Sequence, residues 1–106
     1  MAFKTLFIAH VPDADPEKHR CEVETGMYKF IAVCVRNQAQ AIEVCKNMVK
    51  EVGIHSIILC PGNTHKNVAE IVEAVGAGVG VSVARGDGPC MQTVRNVMEQ
   101  EGWFNR

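Results

Sequence analysis

The stretch IHSIILCPGNTHKNVAEIVEAVGAGVGVSVA, residues 54–84, decides the fold. Ile54 to Cys60 is a short apolar run that reads as a strand, and Pro61-Gly62 stops it. Asn63 or Thr64 then caps a helix with an apolar stripe of Val68, Ile71, Val72 and Val75, ending at Gly76. Val79 to Ala84 is a further strand. A strand, a helix and a strand in this order form a βαβ unit, whose strands run parallel and whose crossover is right-handed.

Working upstream, Asn37 is a good cap for a helix from Gln38 to Val52. Its residues Ile42, Cys45, Met48, Val49 and Val52 share one face, and Gly53 stands where a terminal glycine belongs. Tyr28 to Val35 is nearly continuous apolar sequence, an interior strand. Cys21 to Thr25 alternates apolar and charged residues as a half-exposed edge strand does, and Gly26 between the two makes them a hairpin. Residues 3–9 form a buried strand, followed by a polar loop holding Pro12 and Pro16. Downstream, Pro89 opens a third helix with Val94, Val97 and Met98 turned inward, and Trp103-Phe104 is expected to dock back on the body. The expected architecture is one α/β domain over residues 1–106. It has a five-stranded, mostly parallel sheet with an antiparallel edge hairpin strand and three helices, in the order β-β-β-α-β-α-β-α.

Right-handed crossovers that advance the same way place the first two helices on one face, leaving only the third for the other. The interior strands, with Phe30-Ile31-Ala32-Val33 and Ile57-Ile58-Leu59, look buried on both faces. One helix covers a five-stranded sheet poorly, so a homodimer or higher homo-oligomer is expected.

A net charge of −1 gives no electrostatic reason to expect nucleic acid or an anionic membrane surface as a partner. No stretch approaches the length of a membrane span, and the apolar start at Phe3–Ala9 is too short for a signal sequence before it meets His10. The cysteines, Cys21, Cys34, Cys45, Cys60 and Cys90, are odd in number and form no C-x-x-C pair. Read as reduced thiols, they point to the cytoplasm.

Ligands of open parallel sheets bind outside the carboxyl ends of the strands. Three polar segments should meet there: His10 with the Asp13/Asp15/His19/Arg20 loop, Cys60 to Lys66, and Arg85 to Cys90. Gly62, Asn63 and Thr64 lead into one helix, and Arg85, Gly86 and Gly88 into another. Free backbone N–H groups at such turns suit an anion, and Arg85 adds a guanidinium; plain turn chemistry is the competing explanation. Neither loop has Walker A spacing, and Gly76-Ala77-Gly78-Val79-Gly80 precedes a strand where a dinucleotide fingerprint would open a helix.

His10 at a strand end could act as general base, with His65 and Asp87 as the other catalytic candidates. The alternative is a histidine bonded to backbone and a His65 facing solvent. The same three residues could chemically hold a metal, but no local ligand spacing supports that, so no metal and no cofactor are assigned. Cys90 falls in the first turn of the third helix, where a thiolate is favoured, whereas Cys60 ends a buried strand and reads as packing. Asp13 and Asp15 read as solvated loop charges.

The segments His10-Val11-Pro12-Asp13-Ala14-Asp15-Pro16, Ser56 to Gly62, Thr64-His65-Lys66 and Gly80 to Pro89 resemble a family of short prokaryotic α/β proteins built on a domain of unknown function. The resemblance spans nearly the whole chain and implies a self-standing domain. It implies no activity, cofactor or catalytic residue.

Three readings follow. A binding protein for a small anionic or polar metabolite needs only the loop donors and Arg85. A small enzyme of acyl-transfer, lyase or isomerase type would use His10 or His65 with Asp87. A homo-oligomeric partner-binding module needs neither. An enzyme requires a base, its orienting partner and a stabilising donor converging in one place.

Overall fold

The computed structural model describes residues 2–105. Five strands and three helices follow one another as β1 (Phe3–His10), β2 (Arg20–Glu24), β3 (Tyr28–Val35), α1 (Gln38–Glu51), β4 (Ser56–Leu59), α2 (His65–Val75), β5 (Gly80–Val83) and α3 (Gly88–Gln100). The element order and the mixed α/β sheet are those expected from the sequence. β2 and β3 form the antiparallel hairpin, and the remaining pairs, β3 with β1, β1 with β4 and β4 with β5, are parallel. The sheet order is β2-β3-β1-β4-β5, so the first strand of the chain lies at the centre.

Local chemistry sets the element ends. The Asn37 side chain accepts a hydrogen bond from the Gln40 N–H at 2.9 Å and so caps α1. Gly53, at φ +79°, supplies the left-handed turn after it, and its N–H donates to the Met48 carbonyl. Of the two residues that could cap α2, Thr64 does so, its hydroxyl accepting from Asn67 N–H at 3.1 Å. The hairpin turn closes through Thr25, whose Oγ1 accepts from the N–H groups of Met27 and Tyr28.

The connection from β3 through α1 to β4 passes over β1, and α2 carries the chain on in the same direction to β5. Both crossover helices therefore lie on one face, packed against each other, with Gln38 Nε2 donating to the Asn67 carbonyl and to Glu70 Oε1 across the join. Beneath them is the core. Leu6, Ile8, Val33, Ile57, Leu59 and Ile71 are all fully buried.

The other face differs from expectation. Alternation along the strands puts Phe3, Thr5, Phe7, Tyr28, Phe30 and Ile58 on it; of these only Thr5 is fully buried. The third helix does not cover it: no residue of α3 is buried, and α3 makes no extensive contact with sheet or helices. Nor does the tail dock on the body. Trp103 N–H bonds back to the Met98 carbonyl, and Arg95 lies 4.9 Å over the Phe104 ring, so the tail folds onto its own helix. The physical reason lies in β5, an edge strand of four residues, after which the turn at Arg85–Asp87 directs α3 off the carboxyl end of the sheet.

Candidate functional site

The loop leaving β1 runs toward the β2/β3 side of the sheet, and the loop leaving β4 runs toward β5. The two connections part between adjacent strands, which is the topological switch point where open α/β sheets form a crevice. His10 is the last residue of β1, and Cys60 directly follows β4. Thr5 pairs with Ser56 and Ile8 with Leu59, and Cys60 N–H continues the ladder by donating to the Ile8 carbonyl at 3.1 Å. That register sets the two residues beside each other, with His10 Nδ1 3.6 Å from Cys60 Sγ.

Asn63 completes the group. Its side-chain Nδ2 donates to the Cys60 carbonyl at 2.9 Å and reaches Cys60 Sγ at 3.5 Å. Its Oδ1 is buried and has no partner among the described residues. An acceptor left in that state costs about 1–3 kcal/mol.

The thiol is electrostatically biased. Burial alone pushes Cys60 upward, but the hydrogen bond from the His10 ring, backbone hydrogen bonds from His10 and Gly62, and the charge of His10 act against it. The net result lies below the ordinary thiol value of 9.0. Cys45, in the core, shows the opposite case: burial unopposed pushes it up to about 12.

The third segment lies close by. A Cβ at Gly86 would stand 3.1 Å from Pro61 Cβ and 3.0 Å from Met91 Sδ, so glycine permits the contact between the two loops. Arg85 Nε donates to Asp87 Oδ1 at 2.7 Å, and both side chains are largely exposed. Arg85 and Asp87 thus serve each other across the turn, and neither is hydrogen-bonded to His10. Asp87 is the residue before α3, but its side chain makes no capping bond.

His65 is the exposed first residue of α2, Gly62 and Gly88 are exposed in their loops, and the Thr64 hydroxyl is occupied as a cap. Cys90 is exposed in the first turn of α3. No group of three His, Cys, Asp or Glu side chains among the described residues is placed to hold a metal ion. Cys60 is the residue that sequence reasoning missed. It reads as packing because nothing in the sequence shows that β1 and β4 are neighbours.

Two grooves lie away from this group, along the outer side of α1. One, of about 390 Å³, is bounded by Asp15, Arg20, Glu43 and Glu51. The other, of about 400 Å³, continues past Glu22 and Lys29. Their linings include neither His10 nor Cys60.

No helix of the described residues is long and apolar enough to cross a membrane. No curated protein and no solved structure matches the chain. A family does match, over residues 3–99, and it agrees with the resemblance read from the loop segments: the chain belongs to the Family of unknown function (DUF6506).

Proposed function

We propose that the protein binds a small polar carbonyl compound at the carboxyl edge of its sheet, with Cys60 as the group that engages it. The observation that carries this reading is the 3.6 Å approach of His10 Nδ1 to Cys60 Sγ at the switch point. A thiolate there attacks the carbonyl carbon and a C–S bond forms. The carbonyl π pair moves to oxygen, and the proton held on the His10 imidazole ends on that oxygen. The product is a hemithioacetal, with nothing oxidised and no group expelled. Asn63 Oδ1, an acceptor without a protein partner, suits a hydroxyl or amide donor on the same ligand.

This reading moves the chemistry from the expected His10, His65 and Asp87 set to His10 and Cys60. It keeps a polar ligand and weakens the anionic one, because Asp87 already pairs with Arg85. A reducing compartment such as the cytoplasm would keep the thiol competent, and all five cysteines are free.

The test is iodoacetamide labelling near neutral pH, read by peptide mass spectrometry, with and without glycolaldehyde as competitor. Cys60 should label ahead of the exposed Cys21 and Cys90, and glycolaldehyde should protect it selectively. Labelling of Cys60 no faster than of those two surface thiols would sink the proposal.

A further inference from the structure

The uncovered sheet face has a composition that a solvated surface does not explain. Every residue that the strands turn to this side is uncharged, whereas Arg20, Glu22, Glu24 and Lys29 all fall on the helix-bearing side. The chain has six aromatic residues, and none belongs to the buried core. Phe3, Phe7, Tyr28 and Phe30 lie on the open face, and Trp103 and Phe104 follow α3. Phe3 stacks on Tyr28 at 5.5 Å between ring centroids, and Tyr28 lies 6.4 Å from Phe30, so three of these rings form a continuous apolar row. Aromatic enrichment together with loss of charge marks the centre of protein interfaces.

A second apolar surface is equally unpartnered. At 100° per residue, Met91, Val94, Val97 and Met98 fall on one side of α3, while Gln92, Arg95, Asn96 and Glu99 fall on the other. Met91 and Met98 are partly buried, but Val94 and Val97 are 42% and 53% exposed, so the middle of this stripe is uncovered within the protomer. The molecule measures 43 × 27 × 25 Å, with a radius of gyration of 14.2 Å. A compact chain of this length would have about 13 Å. The projecting helix accounts for the difference.

We propose that the chain forms a two-fold homodimer in which α3 of each protomer lies with its apolar stripe on the open sheet face of the other. Each surface supplies what the other lacks, and a two-fold arrangement satisfies both faces and both helices at once. The sizes agree. Five strands about 4.8 Å apart and four to eight residues long present roughly 450 Å² in projection. The stripe of a 13-residue helix, about 20 Å long, brings the patch on each protomer to about 700 Å². Standard interfaces bury about 800 Å² per partner. An apolar patch of this size exceeds what soluble monomers ordinarily expose.

Light scattering during gel filtration at micromolar concentration should give twice the 11.6 kDa chain mass. Val97→Asp places a charge on the α3 stripe at a residue that is 53% exposed within the protomer. It should give a particle of single-chain mass with an unchanged far-ultraviolet circular dichroism spectrum. Cys34, half-buried on the open face, should then alkylate several-fold faster than in the parent protein. A parent protein that stays at 11.6 kDa overturns the dimer. A Val97→Asp protein that remains dimeric, with Cys34 still slow, overturns the role of α3. A stable complex only with a different protein overturns the choice of partner.

Discussion

His10 Nδ1 and Cys60 Sγ stand 3.6 Å apart although 50 residues separate them in the chain. The pairing depends on a single topological fact, that the chain places β1 between β3 and β4.

The thiol of Cys60 should titrate below an unperturbed cysteine, because its hydrogen bonds and the His10 charge outweigh its burial. Its alkylation rate, which follows the thiolate fraction, should rise with pH through a midpoint lower than that of an unperturbed cysteine. In His10→Ala only burial and the backbone bonds remain, so the titration should move upward. Near neutral pH the rate should fall about tenfold if the titration midpoint rises by roughly one pH unit. A profile unchanged by His10→Ala would show that the ring does not govern the thiol.

The linked effect on folding has a definite sign. A thiol held lower in the folded than in the unfolded state contributes stability above its unfolded value, and that contribution is lost as pH falls through the folded value. Comparing parent protein with Cys60→Ser by urea unfolding, the parent should gain stability relative to the variant as pH rises toward 9. A difference independent of pH would mean that the thiol titrates alike in the folded and unfolded chain.

The strands and all three helices were legible in the sequence because their signals are local. Tyr28–Val35 reads as an interior strand from its apolar run, and Asn37 and Gly53 mark the ends of α1. The placing of α1 and α2 on one face follows from handedness once both crossovers advance the same way across the sheet, as the strand order shows they do. Strand order was not legible, since residues 3–9 carry no mark of which neighbours they pair with. For that reason His10 stands out in the sequence while Cys60 reads as packing. α3 was legible as a helix but not in its placement, because an amphipathic stripe does not say which chain it faces.

Arg85→Ala should leave folding nearly unchanged. Its bond to Asp87 joins two side chains that are 87% and 55% exposed, and surface pairs of this kind contribute about 0–1 kcal/mol. The urea midpoint should move little. Loss of the folded state would show that this turn holds the sheet edge together.

Gly86→Ala should be tolerated less well than its exposure suggests. The added methyl would meet Met91 Sδ at 3.0 Å, which can swing aside, and Pro61 Cβ at 3.1 Å, which cannot. A cost of about 1–2 kcal/mol is expected, within the range for overpacking. It should come with faster labelling of Cys60, because the two loops would separate. A variant as stable as the parent with unchanged Cys60 reactivity would show that the loop contact is incidental.

Leu6 and Phe7 are consecutive in β1 yet point to opposite faces, and their truncation should separate the two hydrophobic surfaces. Leu6 is fully buried beneath α1 and α2, so Leu6→Ala removes core volume and should cost about 2–5 kcal/mol at any protein concentration. Phe7 is only half-buried in the protomer. In dilute protein, Phe7→Ala should therefore cost less than the core truncation. If the open face is covered by a second chain, its cost should grow with concentration, because association stabilises the folded state by mass action and the truncation weakens association. Thermal unfolding of both variants over a hundredfold range of concentration measures this directly. A Phe7→Ala deficit that stays constant over that range would place the ring's contribution wholly within one chain.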